Sequence, residues 1–98
     1  IYTLSLHDAL PILVIHQNSS EEFKKGKIFN EVFGACLSAS CLQGEAETIA
    51  SHVCNQVEAW ANQFSEITED DLKRKTVSSL ENYQPDAAYL YQNEALTI

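Results

Sequence analysis

All six cationic side chains of this 98-residue chain fall in two short clusters: Lys24, Lys25 and Lys27, then Lys73, Arg74 and Lys75. On a chain of formal net charge −8, such segregation makes two local positive patches. A bound phosphate needs positive charge of this kind. Lys27 is expected at a helix N-terminus, where free amides and the helix dipole also favour an anion. Lys25, Arg74 and Lys75 read as a solvated face.

Other chemistries are closed by composition and spacing. The overall acidity argues against nucleic acid or an anionic membrane as main partner, since both need a basic surface. The longest apolar run is too short to span a bilayer. There is no Walker loop and no GxGxxG, hence no phosphate cradle of those kinds. Cys36, Cys41 and Cys54 form no CxxC pair, and their odd number without a secretory signal fits free thiols in a reducing cytoplasm. Cys36, Cys41 and His52 have no standard zinc spacing. Cys36 and Cys54 sit on apolar faces as core, and His52 is expected at the surface. The acidic residues show no spacing that singles out an acid and a base, so no enzyme activity is expected.

With 98 residues there is room for one modest core, and 45% hydrophobic with 20% charged residues is ordinary for a soluble domain. The first twelve residues, IYTLSLHDALPI, look like a leader, but they lack a basic n-region and carry His7, Asp8 and Pro11. They closely resemble a translated short-read sequencing adapter. Residues 1–12 are therefore set aside, and the domain is expected over 13–96. Removing Asp8 from the 14 acids leaves a net charge of −7 against the 6 bases. On this reading the natural start of the chain is replaced, and no catalytic domain follows in cis.

The elements that must position the lysines come next. Leu13-Val14-Ile15-His16-Gln17 is β-branched, then polar. Asn18-Ser19-Ser20 supplies turn chemistry, and Glu21-Glu22-Phe23 returns as a second strand, together a small hairpin. From Lys25, the residues Ile28, Val32, Phe33, Cys36 and Leu37 have helical spacing that fades near Ser38-Ala39-Ser40. Gly34 in the middle suggests the close approach of a neighbouring helix. Ala46, Ile49, Ala50, Val53, Cys54, Val57, Trp60, Ala61 and Phe64 form one broad apolar stripe of a long second helix. Glu66-Ile67-Thr68 is a short third strand. Thr68 and Asp71 fit a capping box before a helix with Leu72, Thr76, Val77 and Leu80 inward. Pro85 opens a fourth helix carrying Ala87, Ala88, Leu90, Tyr91 and Ala95.

The order is hairpin, helix, long helix, short strand, helix, helix. In that order VIHQNSSEEFKKGKI resembles the opening signature of the ATP-cone family. Ala35 in FGAC, EITEDDL and DAAYLY resemble its later segments. The resemblance covers about 80 residues. It implies a mainly α (α+β) fold, a four-helix bundle capped by a small hairpin or three-stranded sheet. It implies a regulatory module that binds ATP or dATP with magnesium between cap and helices and performs no chemistry itself. The regulated output would be a separate protein, the module's own homo-oligomer or nothing, and no membrane or nucleic-acid partner is expected.

Residue by residue, the resemblance implies that Lys27 binds phosphate and that Val14 contacts the base. It places Glu21 near the base or sugar, Lys24 beside the site and Lys73 as the polar contact on the third helix. Phe23 is expected as a core anchor and Thr68 as a helix cap. The family's Lys-Arg pair after the first strand is replaced by His16 and Gln17, which can donate hydrogen bonds but supply no fixed charge near neutral pH. The turn lacks Asp-Gly and is one residue shorter, and Gly26 stands where an acid is usual. Losing two charge-assisted bonds of about 1.5–3 kcal/mol each predicts weak nucleotide binding, or a pH-dependent site through His16. The alternative is a degenerate cone kept as a helical protein–protein interaction module.

Overall fold

The computed structural model describes residues 11–94. Residues 1–10 of the adapter-like segment, and Ala95, lie outside the described residues. Strands β1 (Leu13–Ile15) and β2 (Ser20–Glu22) precede helices α1 (Lys25–Ser38) and α2 (Gln43–Ala61). Strand β3 (Glu66–Thr68), helix α3 (Glu69–Glu81) and helix α4 (Pro85–Glu94) follow. The fold is mainly helical with one small sheet. Among the described residues no helix is long and apolar enough to cross a membrane.

Strand β1 is central, in the order β2-β1-β3. It runs antiparallel to β2, pairing Leu13 with Glu22 and Ile15 with Ser20. It runs parallel to β3, pairing Leu13 with Glu66 and Ile15 with Thr68. The second strand lies one residue earlier than expected. Phe23 leaves the sheet, although its N–H still donates to the Ile12 carbonyl at 2.7 Å. Ile12, the last adapter-like residue, thus extends the hairpin and packs beneath the sheet.

The helices form a ring in which α1 touches α2 and α4, and α3 touches the same two neighbours. Their shared core holds Ile28, Val32 and Cys36 from α1, Ala50, Val53 and Val57 from α2, Leu80 from α3, and Ala87 and Ala88 from α4. A second, smaller core of Val14, Ala61 and Ile67 lies under the sheet. Phe23 and Leu72 pack against both cores. They join cap to bundle, which gives Phe23 the anchor role expected of it.

Three expectations need correction. Gly34 faces solvent, and a Cβ there would meet nothing within 4 Å. It is no helix-contact glycine. Phe64 lies beyond the end of α2 and is 45% exposed, and Leu90 also faces outward. The inner face of α4 is carried by its alanines and Tyr91 instead. On α3, Ser79 is buried beside the expected inward residues, and its hydroxyl donates to Gln56 Oε1 on α2. The Gln56 amide in turn donates to the Tyr83 hydroxyl at 2.9 Å. Exposed His52, as expected, is at the surface, stacked on Tyr83.

Helix α3 has the predicted cap, with the Asp71 N–H donating to Thr68 Oγ1 at 3.1 Å. Helix α1 ends in a Schellman arrangement, the Cys41 and Ser40 amides donating to the Cys36 and Leu37 carbonyls. The residue that must turn left-handed there is Ser40, at φ 72°. A glycine takes this conformation without the steric penalty that a Cβ brings. The three cysteines are free and buried. Burial, and then Cys41 nearby, pushes the Cys36 thiol up to about 11, so it stays protonated and unreactive near neutral pH.

Two opposite backbone substitutions test these assignments by chemical denaturation. Gly34→Ala on the open face of α1 and Ser40→Gly at its end should each add about 0.5–1 kcal/mol. Half-buried Phe23→Ala should remove about 2–3 kcal/mol, less than a fully buried phenylalanine would. A loss under about 1 kcal/mol would mean that Phe23 does not join the two cores.

Candidate functional site

Where the sheet meets the bundle, a cleft opens between the hairpin, the start of α1 and the first turns of α3. Strand alternation delivers its walls. Val14 is buried and points under the sheet, while His16 follows β1 at the mouth. Glu21 sits directly across from Val14 on β2. Lys24 and Lys27 come from the N-cap and first turn of α1. Lys73 lies on α3, one residue past Leu72.

Six of the seven residues expected to bind a ligand therefore line one cleft: Val14, His16, Glu21, Lys24, Lys27 and Lys73. Gln17 does not line it and is exposed in the hairpin turn. The reason is local. The His16 N–H closes the turn onto the Ser19 carbonyl at 2.8 Å, and Gln17 lies within that turn, beyond the last ladder pair.

The charged groups form a chain across three elements and the hairpin turn. Lys27 Nζ lies 3.1 Å from Glu21 Oε1. The same oxygen lies 3.4 Å from His16 Nε2, and His16 Nδ1 lies 3.3 Å from Glu69 Oε2. The hydrogen bond from Lys27, helped by His16, holds the Glu21 carboxyl below its usual 4.5. The same bond to Glu21 raises the Lys27 ammonium above 10.5 against the opposing effect of burial, and Glu31 and Glu69 add to the rise.

Glu31 and Glu69 escaped the sequence reading. Glu31 lies one helical turn after Lys27, and the Tyr91 hydroxyl donates to it at 3.1 Å. That contact joins residues 60 apart, which no spacing rule reveals. Glu69 looked like ordinary acid at the start of α3, where the dipole favours it. The parallel register places it beside His16, because Ile15 pairs with Thr68 and the next residue of each strand follows.

The cleft is thus mixed in charge. Glu21, Glu22, Glu31 and Glu69 face Lys24, Lys27, Lys73 and one imidazole. Helix α1 begins with lysines, with neither an acid in its first turn nor a side-chain cap on its amides. That start is electrostatically unfavourable alone and is relieved by an anion. Below it, Phe23, Ile28, Leu72 and Tyr91 make an apolar wall.

No family model, curated protein or solved structure matches this chain significantly. Among the described residues, no three His, Cys, Asp or Glu side chains are grouped to hold a metal ion.

The ion-pair chain sets a pH window. Glu21, with its lowered value, contributes stability above pH 4.5 that is lost as pH falls through its native pKa. Lys27, with its raised value, contributes stability below pH 10.5 that is lost as pH rises through its native pKa. Glu21→Gln should therefore shrink the acid-side loss of melting temperature and leave the profile between about pH 6 and 9 parallel to the parent. An unchanged acid limb would show that the pair is not formed in solution.

Proposed function

We propose that this chain is a regulatory nucleotide-binding module of the ATP-cone type, taking ATP or dATP with magnesium in the cleft under the sheet. The observation that carries the proposal is convergence. Residues from β1, β2, α1 and α3, spread over some 60 positions of sequence, meet in one cleft as the family resemblance implies. The architecture supports it too, a ring of four helices with a three-stranded cap in the expected order.

The division of the cleft suits a nucleotide. Its apolar wall can take a base against Val14 and Phe23, while Lys24, Lys27 and Lys73 offer charge to phosphates. The acid content shapes the ligand's form. A free triphosphate would meet four carboxylates, whereas a magnesium ion carried on the phosphates reduces their charge before they enter. A phosphate must also draw Lys27 away from Glu21, which weakens the net gain. In this proposal the module does no chemistry. Its output lies in a separate cytoplasmic protein or in its own homo-oligomer.

The acid excess equally supports the second reading, a degenerate cone retained as a helical interaction module. Thermal stability in millimolar ATP or dATP with magnesium separates the two. At five times a millimolar dissociation constant the gain is about 1 kcal/mol, a rise of roughly 4–8 °C for a domain of this size. No rise with either nucleotide overturns the sensing proposal in favour of the interaction module. Lys27→Ala should remove any rise seen, and an equal rise in that variant would place the ligand elsewhere.

A further inference from the structure

A second recess lies on the other side of β1, lined by Ile15, Trp60, Phe64, Ile67, Thr68 and two acids, Glu66 and Asp71. Three features meet there. First, β3 is an edge of the sheet, so among the described residues its far side has no strand partner. Such an edge presents backbone donors and acceptors ready for an added strand. Second, Trp60 and Phe64 meet edge to face, with centroids 5.5 Å apart and planes at 61°. They make a two-walled aromatic corner, and Phe64 is 45% exposed. Third, the charge lining this recess is entirely acidic. Lys24, Lys27 and Lys73 line the other cleft, Lys25 pairs with Glu58 at 3.3 Å, and exposed Arg74 lies 3.4 Å from Asp71 without lining the recess.

We infer that this recess docks an extended basic segment of a partner protein, which adds as a strand to β3 and lays a lysine or arginine side chain in the Trp60–Phe64 corner. An aromatic face attracts a cation, and nearby carboxylates strengthen that attraction. The loose pair of Asp71 with exposed Arg74 shows that this acid already draws a cation. Charge decides against a second copy of this chain as occupant. Pairing two β3 strands would bring Glu66 and Asp71 of both copies together on chains of net charge −8.

The site does not depend on the nucleotide proposal, although the two share a wall. Along β1, Val14 and His16 face the cleft and Ile15 faces the recess. On α3, Glu69 and Lys73 serve one and Asp71 the other. A segment docked on β3 would therefore rest on the same strand and helix that hold a ligand opposite.

The test uses the whole chain without nucleotide. The probes are a capped hexapeptide alternating lysine or arginine with valine, and the same peptide with glutamate at the charged positions. Trp60 is the chain's one tryptophan, so its emission reports the corner directly. Amide chemical shifts of Glu66, Ile67 and Thr68 report strand addition. The basic peptide should give a saturable change in both, weakened about tenfold or more by Glu66→Gln with Asp71→Asn, and similarly by Phe64→Ala. The folded spectrum of each variant should be unchanged. The proposal is overturned by no saturable change at millimolar peptide, by equal response to the glutamate peptide, or by unaltered affinity in the charge-neutral variant. Concentration-dependent dimerisation that protects the β3 amides without peptide would overturn it as well.

Discussion

The seam made by Phe23 and Leu72 is the constraint on which the rest depends. Each strand here has three residues, and a sheet that small has no stability alone. Its own core is only Val14, Ala61 and Ile67, with Ile12 and Trp60 beside it. Phe23 and Leu72 touch this core and the helical one, so folding the cap and folding the bundle become one event. The same two side chains form part of the cleft wall. The cleft is thus a consequence of how a small sheet is fastened to a larger bundle, and its floor is as stable as that fastening.

The helical part of this arrangement was legible because helices announce themselves locally. The stripe from Ala46 through Ala61 is one surface of one helix, and its period requires no knowledge of any partner. Thr68 caps α3 for a reason visible within four residues. The misreadings have a common cause. Gly34 gave a composition signal whose meaning depends on what stands opposite, and solvent stands there. Leu90 is apolar but on a short helix whose alanines already fill the inner face. Ser79 is buried because Gln56, on another helix, accepts its hydrogen bond.

The candidate site divides in the same way. Charge clustering put Lys24 and Lys27 at the hairpin-to-helix junction and Lys73 on α3, and the resemblance implied their part in the site. Glu69 could not be placed there, because its approach to His16 depends on a parallel pairing between strands about fifty residues apart. Parallel ladders need a long crossover, here α1 and α2, and nothing local records their register. Resemblance likewise supplied Val14 and Glu21, and the antiparallel register sets them opposite one another. Gln17 fails for a local reason: with Ile15 paired to Ser20, it lies in the turn and has no inward position left.

His16 stands at the mouth of the cleft between two acids. A lysine or arginine at its position would carry positive charge at every physiological pH. The imidazole instead lies between Glu21 and Glu69, with one ring nitrogen toward each. A neutral ring has a single N–H and can satisfy one carboxylate, whereas an imidazolium donates to both. His16 bridges the two acids that flank the cleft, one on β2 and one on α3. An anion entering the cleft would have to draw Lys27 away from Glu21, the two lying 3.1 Å apart. The geometry would make any anion affinity a contest among partners already in contact.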